Sequence, residues 1–542
     1  MTRRASRARL PLWSLASIAV LLLVWQVAAW VLPPIVLPSP LVVARAFAQL
    51  VCEPAVWFAL AQSLGAYAIG FSLAAAAGAI LGVASGLSRR AARVFAPGIG
   101  LMNSVPTVAW MGLAMIWFGL GLGPTVFLVV ITSTPILAAA LAGAIENRDT
   151  RFDELARVFE LPARAKLRHI TLPPLLGSAH AALSSMAGLG WKLTIMGEFL
   201  TASRGLGESL VVAKAHMQTD RVIAITALLV LVWAIVDAVL RFLASPKRSR
   251  AKARNILGRN DSRPACTQSV GAPLSCVDEQ PEPVQRETTL LRCVDLSLGH
   301  GSVIAQHLSF TVKQGEVLAV LGTSGIGKSS LLNVMCDLQR PVAGHLERAA
   351  CLRSSYVFQD DRLLPWRTVE ENVAILAGGT ISAARSQLEK LGLADSAAKL
   401  PGELSGGMRR RAALARGFLR SANLLLLDEP FAGLDPLRRV SLIAEIEQMR
   451  REFQQAIVLV THEVDDAVLL ADEAIVLGGG KPATVTAQFD LRSLTRHRSL
   501  NDVAASAIRS QILEELLHEI PAVPGAQNGK ERRSYDSDLA HG

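Results

Sequence analysis

Three short stretches hold residue types whose spacing suits phosphate chemistry. Gly322 to Ser329 reads Gly-Thr-Ser-Gly-Ile-Gly-Lys-Ser and fits the spacing G-x-x-x-x-G-K-[ST]. Gly322, Gly325 and Gly327 let backbone N–H groups approach phosphate oxygens, and a helix opening behind them favours anions. Lys328 is placed to bridge β- and γ-phosphates and Ser329 to ligate Mg²⁺, with Ser324 and Ser330 beside them. Eight positions can match by chance, so the flanking pattern decides: Glu316 to Leu321 reads as a buried strand and a helix follows Lys328. In the second stretch, Leu424 to Glu429, an apolar run ends in two carboxylates. Asp428 is placed to hold Mg²⁺ through water and Glu429 to orient an attacking water as a base. The bland alternative, a strand ending in solvated acids, is weak beside a phosphate loop. The third, Leu404-Ser405-Gly406-Gly407-Met408-Arg409, opens a helix and makes a second anion site. One nucleotide has no use for two such helix ends from one subunit. Ser405, Gly406 and Gly407 are therefore expected to cap the nucleotide of a neighbouring copy.

The elements that hold these stretches are strands alternating with helices from about residue 289. Leu424 to Leu427 and Ile457 to Val460 are continuous apolar runs of the buried parallel-strand type. They imply an α/β P-loop domain.

The chain ahead of that domain is different. Hydrophobic residues make up 51% of the 542 and charged residues 18%, against ~25% charged in soluble domains. The net charge is +10. Residues 1–257 hold 24 Lys+Arg and 10 Asp+Glu, and residues 258–542 hold 31 and 35. The basic excess thus belongs to the greasier half, and the other half nets −4, which argues against nucleic-acid binding. Apolar runs of the length a span requires, about 20 residues, predict six membrane helices near 11–32, 61–87, 97–119, 122–145, 175–199 and 222–244, the third and fourth interrupted at Pro106 and Pro135. With the N-terminus inside, one side carries 18 Lys/Arg and the other 4, the positive-inside pattern. A cleaved signal peptide would need a shorter apolar stretch than the one from Pro11. Residues 246–288 are polar and aperiodic, a flexible linker. Six scattered cysteines with no C-x-x-C leave neither a zinc spacing nor a disulfide framework.

On the phosphate loop, the Ser-Gly-Gly turn and the Asp-Glu strand end together, the chain resembles the ATP-binding cassette (ABC) transporter family over nearly its whole length. That resemblance implies further roles. Gln359, after Tyr356-Val357-Phe358, is similar to the glutamine that senses Mg²⁺ and the membrane domain. Gly433-Leu434-Asp435 resembles the family's D-loop. His462 resembles the switch histidine that contacts the γ-phosphate; read without the family, a lone His after a strand is structural. Phe358 to Arg367 and Leu37-Pro38-Ser39-Pro40 resemble nitrate, sulfonate and taurine importers. Glu154-Leu155-Ala156, then Glu160, then Ile170, Leu172 and Pro173 match in spacing the importer permease's cytoplasmic pattern, which implies a coupling loop over about 146–174 that docks on the ATPase. The chain departs from the family at three points. Glu160 stands where the pattern has glycine, Arg410 replaces a common glutamine and is expected to be tolerated, and no Tyr, Phe or Trp lies near His300 to stack on adenine.

Polar residues inside spans are functional suspects. Lys192 and Glu198 in the fifth span are candidates for the substrate path, Lys192 through attraction of an anion; an internal ion pair or snorkelling is the alternative.

The expected organisation is an all-α six-helix transmembrane domain (1–245), a linker (246–288), an ABC ATPase domain (289–490) and a partly disordered C-terminal extension (491–542). The family implies an ATP- and Mg²⁺-dependent importer of a small anion, with permease and ATPase fused. It implies a homodimer in the bacterial inner membrane, both termini cytoplasmic, fed by a separate periplasmic or lipid-anchored binding protein. An ABC exporter is one alternative, and import of bicarbonate or a thiamine precursor another.

Overall fold

The computed structural model describes residues 12–244, 289–350, 352–494 and 502–518. The expected linker and most of the expected C-terminal extension lie outside them. The chain divides into two units. Of the described residues, those up to 148 and those from 171 to 244 form one unit, which is helical; residues 149–170 and those from 289 onward form the other.

In the helical unit, α1 (Leu12–Val31), α3 (Pro54–Leu87), α6 (Leu122–Glu146), α9 (Leu172–Thr201) and α11 (Thr219–Ala244) coincide with five of the expected spans. Two short helices were not foreseen, α2 (Pro40–Cys52) and α10 (Gly205–Ala215). The expected third span is not one helix. It is α4 (Arg89–Ser104) and α5 (Thr107–Phe118), bent by 101°. Val105 between them is extended (φ −80°, ψ 128°), the conformation that a following proline imposes. Pro135, also expected to interrupt, lies inside the continuous α6, as neighbouring helices allow. Among the described residues, three helices are long and apolar enough to cross a membrane, or four if the bent pair is one span. α9 is long enough but carries His180, Ser184, Ser185, Lys192 and Glu198. α3 and α6 pack at close range through small residues. A Cβ at Gly82 would stand 2.7 Å from the Ala138 carbonyl oxygen.

The second unit is built on two sheets. β1 (Thr289–His300), β2 (Ser302–Lys313) and β4 (Ala343–Arg348) form an antiparallel sheet in the order β2-β1-β4. The larger sheet has the order β5-β6-β7-β3-β8-β9, from β5 (Ser354–Val357), β6 (Leu424–Asp428), β7 (Ala456–Val460), β3 (Val317–Gly322), β8 (Glu473–Gly478) and β9 (Thr484–Asp490). Its first five strands run parallel. Every residue of β3, β6 and β7 is buried, as expected of strands covered on both faces. One face carries α13 (Val369–Ala377), α14 (Ile381–Lys390), α15 (Gly406–Leu419), α16 (Pro436–Phe453), α17 (Val464–Leu470) and α18 (Val503–His518). The antiparallel sheet and α12 (Lys328–Met335) cover the other.

α7 (Arg151–Val158) and α8 (Ala163–Lys166) belong to this second unit although they precede α9 in the chain. Leu155, Val158 and Phe159 lie in the same core as β1, β3 and β6.

Candidate active site

Sheet order brings the expected residues together. The phosphate loop follows β3, Gln359 follows β5, Asp428 ends β6 and His462 follows β7. These are the C-terminal ends of four adjacent parallel strands, where open α/β sheets bind ligands. Gly327, at φ 108°, caps α12 at the point where Lys328, Ser329 and Ser330 begin it. Lys328 is buried, and its ammonium donates to the carbonyls of Gly322 (2.7 Å) and Thr323 (2.9 Å). Burial pulls its pKa below the usual lysine range, with Glu429 and Asp428 pulling the other way. Ser324 and Gly325 are exposed at the tip of the loop.

Asp428 is 4% exposed. Burial raises its pKa, and hydrogen bonds from Ser329 and Tyr356 oppose the rise. The Tyr356 hydroxyl donates to its Oδ2 at 3.1 Å. Its Oδ1 is buried without a hydrogen-bond partner. An orphaned carboxylate oxygen beside a serine hydroxyl is the donor set a hard divalent cation takes, so these residues fit Mg²⁺.

Glu429 follows in the left-handed region, at φ 47°. Its N–H donates to Val460 O (2.9 Å), tying it to β7. Gln359 Nε2 donates to its Oε2 at 3.0 Å, and His462 Nδ1 lies 3.4 Å from its Oε1. Carboxylate, amide and imidazole thus meet at one point, each from a different strand. Ser405 caps α15 by accepting from Met408 N at 3.4 Å. Ser405 and Gly406 are exposed and Gly407 is half-buried, and among the described residues no hydrogen bond joins them to the phosphate loop. Asp435 caps α16 by accepting from Arg438 N at 3.1 Å. The His300 side chain lies outside the described residues.

The segment expected to couple the halves lies against the residues after Gln359. Arg362 donates to Glu154 at 2.7 Å, and its guanidinium stacks 3.7 Å from the Phe358 ring centre. Arg151 pairs with Asp360 at 3.1 Å. Phe159 is 4% exposed, and the guanidinium carbons of Arg416 and Arg420 lie 5.3 Å and 5.2 Å from its ring centre. Trp366 Nε1 donates to His169 O at 2.9 Å, while Ala156 and Ile170 pack with Leu364. Glu160, where the pattern has glycine, adopts φ 48° itself and pairs with Arg420 at 3.3 Å. The turn a glycine would make is kept by a residue with a side chain. Leu172 and Pro173 open α9 in the helical unit.

Lys192 and Glu198 are not brought together. Lys192 is exposed and Glu198 is buried. Glu198 Oε2 accepts from Ser63 Oγ (2.7 Å) and Gly207 N (3.1 Å), which ties α3 to the α9–α10 turn. A Cβ at Gly205 would stand 2.4 Å from that carboxylate. Tyr356, Arg362, Phe159, Arg416 and Arg420 were not singled out from sequence. Their partners lie too far along the chain for spacing to show.

Comparison with known proteins places both halves of the chain in described families. Residues 305–432 match the family described as "ABC transporter", and residues 74–249 the family described as "Binding-protein-dependent transport system inner membrane component". "Aliphatic sulfonates import ATP-binding protein SsuB 3" of Nocardia farcinica is 40% identical over 230 residues, 42% of this chain and 91% of that protein. "Aliphatic sulfonates import ATP-binding protein SsuB 1" of Pseudomonas fluorescens is 39% identical over 226 residues, 41% of this chain and 85% of that protein. The SsuB of Burkholderia pseudomallei is 38% identical over 248 residues, 45% of this chain and 70% of that protein. A P-loop ATPase joined to membrane-type helices defines the class. The chain belongs to the ABC importer family, with a permease segment and an ABC ATPase in one polypeptide. It hydrolyses ATP to drive transport, and membership of an importer family removes the exporter alternative.

Proposed function

We propose that the chain is a half-transporter that works as a homodimer in a bacterial inner membrane, both termini cytoplasmic. It imports a small anion delivered by a separate binding protein. Nitrate, a sulfonate and taurine are the candidates, and a sulfonate is favoured because three similar ATPases are named for aliphatic sulfonates import. Bicarbonate or a thiamine precursor is the second reading. One observation carries the ATPase chemistry: Gln359 and His462 both reach the Glu429 carboxylate at the sheet end that holds Lys328.

The roles follow from that meeting point. Lys328, released from the Gly322 and Thr323 carbonyls, grips the β- and γ-phosphates. Glu429 accepts a proton from the water that attacks the γ-phosphorus, and the bond to the β–γ bridging oxygen breaks, leaving ADP. His462 donates to the γ-phosphate and Gln359 keeps the carboxylate turned toward the water. Ser329, Asp428 and Gln359 would hold Mg²⁺, which neutralises phosphate charge when bound. Ser405, Gly406 and Gly407 are open for the nucleotide of a second copy, and Asp435 borders the same face. Closure of the two ATPases is passed to the permease through Glu154, Ala156, Glu160 and Ile170, and on through Leu172 and Pro173. Glu198 serves the permease as a clamp on the α9–α10 turn, and Lys192 attracts the anion.

Glu429→Gln is the direct test. It keeps the side chain's shape and removes its basicity, so ATP turnover should fall by about 100-fold or more, within the ~10²–10⁴ that a positioned base contributes. ATP binding should persist. Normal turnover would refute the base assignment.

A further inference from the structure

Arg410 was expected to be a tolerated exchange, and the structure gives it a larger part. Its side chain lies in the second turn of α15, 7% exposed, and all five of its N–H donors reach main-chain carbonyls. Nε donates to Pro430 O at 3.1 Å. Nη1 donates to Phe358 O at 2.6 Å and Gln359 O at 2.9 Å. Nη2 donates to Asp428 O at 2.9 Å and Glu429 O at 2.6 Å. A guanidinium owns five donors in one planar fork, so none is left over. The Asp361 carboxylate, 3.6 Å from Nη1, balances the charge.

The five acceptors come from two segments. Phe358 and Gln359 leave β5; Asp428, Glu429 and Pro430 leave β6. The side chains of these segments meet where Gln359 donates to Glu429. The left-handed backbone of Glu429 turns three successive carbonyls toward one side chain. Farther along α15, Arg416 donates to the carbonyls of Asp361 and Arg362. Four of the five carbonyls from 358 to 362 are therefore held by the helix that Ser405 caps.

We propose that Arg410 is a positioning residue for hydrolysis. Its fork fixes the Gln359 and Glu429 backbones against each other and against α15, so the Glu429 carboxylate meets the attacking water only while α15 is seated. The proposal rests on Glu429 being the base. A glutamine at 410 offers two amide hydrogens and forfeits at least three of the five bonds. A lysine keeps the charge and has three donors, but not in a plane.

The test uses the full chain in lipid nanodiscs and measures MgATP turnover and equilibrium binding of a fluorescent ATP analogue. Arg410→Gln should lower kcat about 10- to 100-fold, with the analogue's Kd within about threefold of wild type. Arg410→Lys should fall between, about 3- to 10-fold down in kcat. That split separates positioning from general support. If Arg410→Gln does not fold, Arg410→Lys decides on the same two readouts. Unchanged kcat in Arg410→Gln, wild-type kcat in Arg410→Lys, or parallel loss of binding and kcat in both variants would overturn the proposal. A Glu429→Gln control separates the two ideas. Normal turnover there defeats the base assignment, whereas a dead control beside an unaffected Arg410→Gln defeats only the positioning role.

Discussion

Phe159→Ala isolates what holds the α7 segment to the ATPase. Phe159 is 4% exposed, in one apolar cluster with Leu155, Tyr356 and Phe358, and flanked by two guanidiniums. Truncating a buried Phe costs about 3–5 kcal/mol. Each cation–π contact adds ~0.5–2 kcal/mol, partly counted in that figure already. The other ties are weaker. The Arg362–Glu154 pair, with Glu154 at 43% side-chain exposure, is worth ~0–1 kcal/mol, and the Trp366–His169 hydrogen bond about 1 kcal/mol. A loss near 3 kcal/mol raises the undocked population ~150-fold at ~1.4 kcal/mol per decade. Hydrogen exchange of the full chain in nanodiscs reads this directly. Amides of α7 should exchange about two orders of magnitude faster, while those of β6 and β7 keep their protection. Phe159→Leu keeps most of the apolar area and loses the aromatic faces, so it should give a smaller effect. Acceleration in α7 below about tenfold, or an equal change across β6 and β7, would show that Phe159 is not the anchor.

Two further outcomes follow from the same unit. In a chain whose native cysteines are replaced, Ser405→Cys with Ser324→Cys should crosslink two copies when ATP is present, since both positions are exposed; only intrachain product would end the homodimer reading. Asp466 is 1% exposed, accepts from Thr461 Oγ1 at 3.0 Å, and is pushed up to about 6 by burial, with Arg439 and Thr461 opposing. A carboxyl whose folded pKa exceeds its unfolded value costs stability as pH rises from about 4 through 6, and the full cost is present above that. Asp466→Asn should therefore stabilise the fold at pH 7.5 by on the order of 1–3 kcal/mol, seen as a higher thermal midpoint, and the gain should shrink toward pH 4. An equal shift at both pH values would contradict this.

The parts of the site that were legible in the sequence are contiguous. Gly322 to Ser329 and Asp428-Glu429 are local patterns set by the backbone they must form, and the apolar runs of β3, β6 and β7 give the strands that carry them. Arg410 was visible as a departure, but its acceptors arrive from residues 18 to 52 positions away, so composition could not weigh it. Phe159 is farther still from Arg416 and Arg420. Pro106 and Pro135 carried the same signal, yet only Pro106 breaks its helix. The difference is the packing around Pro135, which is buried between Thr134 and Leu137 in the long α3–α6 contact. That is a tertiary property.

Residues 149–170 are fed into the ATPase unit from a point in the chain far ahead of β1. A cassette cut out at residue 289 would therefore carry an open socket, lined by Tyr356, Phe358, Arg416 and Arg420, where Leu155 and Phe159 now sit. The piece would be sticky and underpacked until it met a helix of matching shape. Exchange of cassettes between such transporters is then limited by a lock of a few side chains, and a foreign cassette fits only if it brings a pair of arginines to the same aromatic ring.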